Sequence, residues 1–224
     1  MTSDGITAIQ EGFFYLLKGS WINLAVVVGA MGLGFLLGLP LALGQIYSGK
    51  MTRGMIGVYV WFFRGIPLLV FLFLFYFGLV SFLDINLSAF SVAIIVLGLI
   101  SSAYQSQILR GAILSIPDGQ LKAARALGMS DAGAVFYVII PQALRISIPA
   151  WSNEYSILLK DSAVTYALGV SELMSRANHV ASRTYQHLHL YLLAGFMFML
   201  LTYLGTRSLA ALQKRLKIPG YTHQ

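Results

Sequence analysis

Few side chains in this chain could bind a solute, and most of those stand inside apolar stretches. The polar residues within these stretches are Tyr104, Gln105, Gln107, Asn153 and Glu154. An ionisable group in such a stretch is a functional candidate, because it is unfavourable there without a partner. Glu154 could therefore receive the ammonium group of a solute. The alternative is an interhelical ion pair, for which Arg145 and Lys160 are candidate partners.

The other polar residues leave two interpretations open. Tyr104, Gln105 and Gln107 could line a solute path, or they could lie in the contact between two chains. Asn153 precedes Glu154 and is predicted to lie on the same path.

No pattern typical of a catalytic, metal or nucleotide site accompanies these residues. His187 and His189 are two residues apart and do not share a helix face, so a helical metal site is not expected. The segment 44–51 matches a phosphate-binding loop until Met51 replaces the Ser or Thr that holds magnesium. We therefore predict that the chain is not an enzyme and binds no metal or cofactor.

The composition indicates a membrane protein. Hydrophobic residues make up 58% of the 224 residues and charged residues only 10%, which leaves too much apolar surface for a soluble domain. The net charge of +7 is scattered along the chain, which fits membrane topology better than nucleic-acid binding. We predict a single all-helical membrane domain over residues 1–224, surrounded by lipid.

Five apolar runs approach the ~20 residues that cross a bilayer. They lie at about 21–46, 64–82, 87–109, 135–159 and 188–206. The segment 1–20 is predicted to be a short surface helix. With five spans, one side of the membrane carries most of the basic residues, which are Lys50, Arg53, Arg110, Lys122, Arg125, Arg207, Lys214, Arg215 and Lys217. The positive-inside rule places this side in the cytoplasm, the N-terminus outside and the C-terminus inside.

Small residues in the first run predict a close helix contact. Ala30, Gly34 and Gly38 are spaced four residues apart and would let another helix backbone approach.

The loop at about 111–134 is polar and amphipathic, between two long apolar runs. Ala123, Ala124 and Leu127 are predicted to share one face of a short helix. Gly128 would then let the chain turn, and Asp131 could cap a second short helix. Such a loop is suited to docking a soluble partner.

The spacing in this loop resembles the cytoplasmic signature of permease subunits of binding-protein-dependent ABC importers. That signature is Glu-Ala-Ala, three residues, Gly, nine residues, then Ile-x-Leu-Pro. The matching positions are Ala123, Ala124, Gly128 and Pro141, with Val138 and Ile140 as conservative replacements. Lys122 stands where the signature has its acidic residue, which would fit a second, non-identical permease chain. Segments 63–69, 103–120 and 141–164 are similar to the branch for polar amino acids.

The resemblance implies a type I importer permease in the cytoplasmic (inner) membrane, with a coupling helix in the 111–134 loop. It implies two ATPase subunits that hold ATP and magnesium, a second permease chain in a homodimer or heterodimer, an external solute-binding protein and an amino-acid substrate. The residues expected to contact the ATPase are Lys122, Ala123, Ala124, Arg125, Leu127, Gly128 and Met129. An ion-gradient-driven carrier without an ATPase is the alternative, although a carrier usually needs more spans and an inverted repeat.

Overall fold

The computed structural model describes residues 3–216, with side chains from Gln10 onward except that of Glu11. Lys217, counted in the predicted topology, lies outside the described residues. Within this range the regular structure is helical. The α-helices are α1 (Ser3–Tyr47), α2 (Lys50–Gly65), α3 (Leu68–Phe73), α4 (Ala89–Leu114), α5 (Asp118–Ala126), α6 (Asp131–Ala134), α7 (Ile140–Ser162), α8 (Leu173–Thr184) and α9 (His187–Arg215).

Three further helical segments extend these helices. A π-helical segment, Leu74–Val80, continues α3, and a second one, Val135–Ile139, joins α6 to α7. A 3-10 segment, Ala163–Leu168, continues α7. The chain from Asp131 to Leu168 is therefore one long helical element.

Four of the five predicted spans correspond to helices that are long and apolar enough to cross a membrane. These are Gly12–Tyr47, Ala89–Leu114, Asp131–Leu168 and His187–Arg215. The separate surface helix predicted before the first span is wrong, because α1 is continuous from Ser3 to Tyr47. Gly19 does not interrupt α1, since it is buried where α1 meets the backbone of Leu173. A helix that has already formed continues through a glycine at a small cost in free energy.

The second predicted span, 64–82, is broken. The helix axes of Lys50–Gly65 and Leu68–Val80 meet at 102°. Ile66 between them is extended, with φ −104° and ψ 136°, because Pro67 disfavours a helical residue before it. At 1.5 Å per residue, Leu68–Val80 rises about 20 Å, less than the ~30 Å of a bilayer core. Both halves are thus needed if this region is to span the membrane.

Close packing of α1 against α4 forms the centre of the molecule. A Cβ at Gly34 would lie 2.5 Å from Nε2 of Gln105, and one at Gly38 would lie 3.1 Å from Cβ of Gln105. Ala30 is fully buried, in an apolar cluster that includes Val96 and Leu97 of α4. The predicted small-residue contact is confirmed, and α4 is its partner.

A buried polar cluster joins α1, α7 and α8 at one end of the molecule. Asn23 donates hydrogen bonds from Nδ2 to Ser162 Oγ (2.8 Å) and to Glu172 Oε2 (3.0 Å). The Glu172 carboxylate also accepts from the amide nitrogens of Met174 (2.9 Å) and Ser175 (2.6 Å) and so caps α8. Burial raises the pKa of Glu172, which lies in the connection between two spans.

Candidate functional site

The predicted coupling loop contains one short helix that ends at a defined turn. Pro117 precedes α5, and Gly128 has a left-handed φ of 83°. The amide of Gly128 donates to the Arg125 carbonyl (2.9 Å), and that of Met129 donates to the Ala124 carbonyl (3.1 Å). These two bonds form a Schellman motif, in which glycine avoids the strain of a Cβ. The predicted turn at Gly128 is confirmed.

The predicted shared face of α5 is wrong for one residue. Ala124 is buried, with 4% of its surface exposed, whereas Ala123 is exposed and Leu127 is 83% exposed. Ala124 therefore faces the membrane domain, because the loop folds back on it. The outward surface of α5 is formed by Lys122, Ala123, Arg125 and Leu127, with Gly128 exposed and Met129 half-buried beside it. We call these six residues the α5 surface.

The α5 helix packs against the long helices through Leu121. Leu121 packs against a cluster made of Ala112, Ile113, Ile116, Ile139 and Ala143, which also contacts Leu43 and Ile46. These residues come from α1, the end of α4 and the turn after it, the second π-helical segment and the start of α7. Leu121 therefore connects α5 by direct packing to three of the long helices.

Asp131 does not cap the next helix as predicted. Ser130 is the cap of α6, since its Oγ accepts from the amide of Gly133 at 3.2 Å. Asp131 instead accepts from Arg125 Nε at 2.6 Å, in an exposed salt bridge. Ser130, one residue before Asp131, has the extended backbone of a helix-capping residue, with ψ 157°. Its side chain is also shorter than that of Asp131.

Glu154 is 4% exposed and hydrogen-bonded to a neighbouring helix. Ser101 Oγ on α4 donates to Glu154 Oε1 at 2.8 Å. Gln105 Nε2 donates to Ser101 Oγ and to the Met31 carbonyl, both at 3.0 Å. The network links α1, α4 and α7, and Ser101 is its member that the sequence did not reveal. Its signal was the four-residue spacing from Gln105, which puts both on one helix face.

The other predicted path residues lie apart from this network. Gln107 donates from Nε2 to Gln45 Oε1 at 3.0 Å on α1, and Asn153 is exposed. Neither Arg145 nor Lys160 forms a salt bridge with Glu154 within the described residues. The five predicted residues are therefore not one site, and only Gln105 joins Glu154.

Tyr104 lies in a cavity at the break of the second span. The guanidinium carbon of Arg64 lies 4.7 Å from the centre of the Tyr104 ring. This cavity is an open groove on the surface of the chain, with a volume of about 320 Å³, and is lined by Val60, Trp61, Arg64, Gly65 and Tyr104. Sequence reasoning did not single out Arg64. The signal available was a cation two residues before the Ile66–Pro67 break in an apolar run.

Across the described residues, no group of three or more His, Asp or Glu side chains is placed to hold a metal ion. The polar contacts described in the membrane domain include the hydrogen bond of Ser101 to Glu154 and the stacking of Arg64 on Tyr104. Such groups can bind and orient a solute, and the α5 surface can contact a partner.

Comparison with known proteins places this geometry among transport components. Residues 33–218 match the family described as "Binding-protein-dependent transport system inner membrane component". The L-cystine transport system permease protein of Bacillus subtilis is 33% identical over 210 residues, covering 93% of this chain and 89% of that protein. The histidine/lysine/arginine/ornithine transport system permease protein of Salmonella typhimurium is 34% identical over 198 residues, covering 84% of each chain. A solved amino acid ABC transporter with histidines superposes with a TM-score of 0.85 at 34% identity, covering 96% of this chain and 100% of that chain.

Proposed function

The chain belongs to the family of binding-protein-dependent transport system inner membrane components, and from that premise we propose that it moves a polar amino acid past Glu154 while coupled to an ATPase through the α5 surface.

Family membership confirms the expectations about the kind of protein. The chain is an all-helical permease subunit of an ABC importer in the inner membrane, with several membrane-crossing helices. It is the transport component, and ATP hydrolysis belongs to a separate subunit. The alternative of an ion-driven carrier is not supported, because the relatives are permeases of binding-protein-dependent systems.

The substrate class follows from the relatives. One of them transports L-cystine and another transports histidine, lysine, arginine and ornithine. All of these solutes carry an ammonium and a carboxylate group. The buried carboxylate of Glu154 supports an amino-acid substrate here, since it can accept hydrogen bonds from an ammonium group.

The orientation is proposed from charge. With the N-terminus outside and the C-terminus in the cytoplasm, Lys50, Arg53 and Lys122 lie on the cytoplasmic side. In this orientation α5 faces the cytoplasm, where an ATPase can reach it. The polar cluster of Asn23 and Glu172 then lies on the outer side.

The observation that carries the coupling proposal is the contrast between the two sides of α5. Leu127 is 83% exposed although it is a large apolar residue, while Ala124 behind it is buried. Leu127 would fill an apolar cleft of the ATPase, with Lys122 and Arg125 as polar neighbours. ATP binding closes the ATPase pair and moves α5, which shifts the permease pair between inward- and outward-facing states. A ligand can drive such a shift only as far as it binds one state better than the other.

The test is ATP-dependent uptake by the assembled importer. The chain is tagged at its C-terminus, purified with its co-expressed partners and reconstituted into liposomes with the solute-binding protein. We expect radiolabelled amino-acid uptake to require ATP on the ATPase side and to persist with ionophores that collapse ion gradients. Uptake that continues without ATP, or that stops with the ionophores, would contradict the proposal.

A further inference from the structure

We propose that the π-helical segment Val135–Ile139 is a joint at which the 111–134 loop turns relative to α7, by changing between two hydrogen-bond registers. The inference rests on the proposed coupling to an ATPase and identifies the element that accommodates the motion. π-Helical turns within α-helices are rare, and they occur often at functional sites. This one lies between the α5 surface and the long helix that carries Glu154.

Pro141 explains why this segment is π-helical. It is the second residue of α7, and a proline has no amide hydrogen to donate. In an α-helix its ring would also clash with the carbonyl four residues earlier, which is that of Tyr137. The wider turn of a π-helix avoids this clash. The amide of Ile140 accordingly donates to the carbonyl of Val135, five residues back, rather than to that of Phe136.

The segment can form two registers with equal numbers of backbone hydrogen bonds. In the observed register the Phe136 carbonyl loses both regular donors, because Ile140 donates to Val135 and position 141 is a proline. In an α-helical register Ile140 would donate to Phe136, and the Tyr137 carbonyl would lose its donor at position 141 instead. Each register therefore leaves one carbonyl without an amide donor. A partner that binds one of two such arrangements better can shift the chain between them.

The side of the joint that carries these carbonyls is not covered by the rest of the chain. The side chains of Phe136 and Tyr137 are 64% and 72% exposed. In the proposed orientation, the Asp131 end of the Asp131–Leu168 element lies at the cytoplasmic surface of the membrane. An unpaired carbonyl is unfavourable in the bilayer core, but water can pair with it at the surface. Either register is thus tolerated at this depth.

Contacts on each side of the joint link the chain to a different part of the molecule. Before the joint, the salt bridge between Arg125 Nε and Asp131 Oδ1 (2.6 Å) links α6 to α5. After it, the Tyr155 hydroxyl donates to the Leu201 carbonyl of α9 at 3.0 Å. The packing of Leu121 on the long helices is apolar and non-directional, so it permits sliding. Bending between the two parts is therefore concentrated in the segment that joins them.

Gln142 bridges the joint with its side chain. Its Nε2 donates to the Val138 carbonyl at 2.8 Å, and the residue is half-buried. This bond connects the first turn of α7 to the π-helical segment, so it opposes movement between them. Gln142→Leu keeps a side chain of similar size and removes the donor. This variant should make the joint more mobile without opening a cavity.

Amide hydrogen exchange tests the joint directly, because a change of register breaks the bond from Ile140 to Val135. The complete importer in lipid nanodiscs is exchanged with deuterium, and peptides are analysed by mass spectrometry. In wild type we expect residues 135–142 to exchange faster than residues 150–157 of α7, at a rate that changes when ATP is added.

The two variants should move this exchange rate in opposite directions. Pro141→Ala removes the ring clash and adds an amide donor, so exchange over 135–142 should slow about 10-fold. Uptake per ATP hydrolysed should fall with it, because the second register becomes less populated. Gln142→Leu should accelerate exchange about 2- to 10-fold, the net contribution of one hydrogen bond.

Pro149→Ala is the matched control for the exchange measurement. It removes the other proline of α7, which lies inside that helix and beyond the joint. Exchange over 135–142 should stay at the wild-type rate in this variant. A rate that falls equally in Pro149→Ala and Pro141→Ala would overturn the proposal, since the effect would not be specific to the joint.

Three other results would also overturn it. These are an unchanged exchange rate in Pro141→Ala, a slower rate with normal uptake per ATP, and a wild-type rate that ATP does not alter. If Pro141→Ala does not assemble, Gln142→Leu decides the question, and unchanged exchange in that variant contradicts the joint. Absence of ATP-driven uptake by wild type would contradict the coupling function itself, which the exchange rates of the variants do not depend on.

Discussion

Ser101 on α4 donates a 2.8 Å hydrogen bond to the carboxylate of Glu154 on α7, and both residues are buried. They are 53 residues apart in the chain, so the contact exists only when α4 and α7 are packed. The Ser101 hydroxyl orients one carboxylate oxygen and leaves the other without a side-chain donor among the described residues. In the proposed function, this second oxygen is the atom that would accept from a solute ammonium group.

Glu154→Gln should weaken uptake without unfolding the protein. Its amide oxygen can still accept from Ser101, but the negative charge is lost. We expect the apparent affinity for the amino acid to fall about 10-fold or more, because a hydrogen bond to a charged group is replaced by a neutral one. Uptake kinetics in proteoliposomes would measure this. Ser156→Ala serves as the control, since its hydroxyl donates to the Ser152 carbonyl of the same helix. Unchanged affinity and rate in Glu154→Gln would refute a substrate role.

Leu127→Ala should uncouple ATP hydrolysis from transport while leaving the permease stable. The side chain is 83% exposed, so its loss removes little packing within the chain. We expect weaker binding of the ATPase and loss of transport, measured by co-purification and by uptake per ATP hydrolysed. Leu188→Ala is the matched control, since Leu188 is 68% exposed at the start of α9. Equal coupling in both variants would show that the α5 surface is not the contact.

Gly34→Ala should destabilise the packing of α1 against α4. Its Cβ would lie 2.5 Å from Nε2 of Gln105 and 2.8 Å from Oγ of Ser101, so these side chains or the helices that carry them must shift. Overpacking of this kind costs about 1–3 kcal/mol. Gly32→Ala in the same helix meets no atom within 4 Å and is the control. Thermal unfolding in detergent, followed by tryptophan fluorescence, should show a lower midpoint for Gly34→Ala only. Equal midpoints would contradict the close contact.

Glu172 should make stability depend on pH in a defined direction. Burial raises its pKa in the folded chain above the ordinary value of about 4.3, so the folded state holds the proton more tightly than the unfolded one. The stabilisation is complete below the unfolded pKa and is lost as pH rises through the folded pKa. Wild-type stability relative to Glu172→Gln should therefore decrease with rising pH in this window.

The measurement is the unfolding midpoint of both proteins between pH 4 and 8. Asp118→Asn, which changes an exposed carboxylate on α5, is the control for general charge effects. A difference between wild type and Glu172→Gln that stays constant across this range would contradict the assignment.

Local sequence rules accounted for several features correctly. The small residues Gly34 and Gly38 predicted a close helix contact, and Gly128 predicted a turn, because each of these depends on the absence of a Cβ at one position. Four spans were located because a long apolar helix is determined by its own composition in lipid. Their ends were less well predicted, since α1 and the Asp131–Leu168 element continue past the apolar runs.

Only the tertiary structure decided which polar groups meet. Ser101 donates a hydrogen bond to Glu154, Gln107 donates one to Gln45, and Ala124 is buried. These contacts depend on how the helices pack and not on residue spacing within one helix. Arg64 stacks on the ring of Tyr104, which is forty residues away in the chain, so this contact too exists only in the folded structure. The sequence by itself determined that this is a helical membrane protein and where its loop helix lies, because apolar length and local turn chemistry are properties of contiguous residues. Its identification as a permease depended on the resemblance of that loop to the importer signature. The pairing of side chains between helices required the fold, because it depends on the rotation and depth of each helix relative to the others.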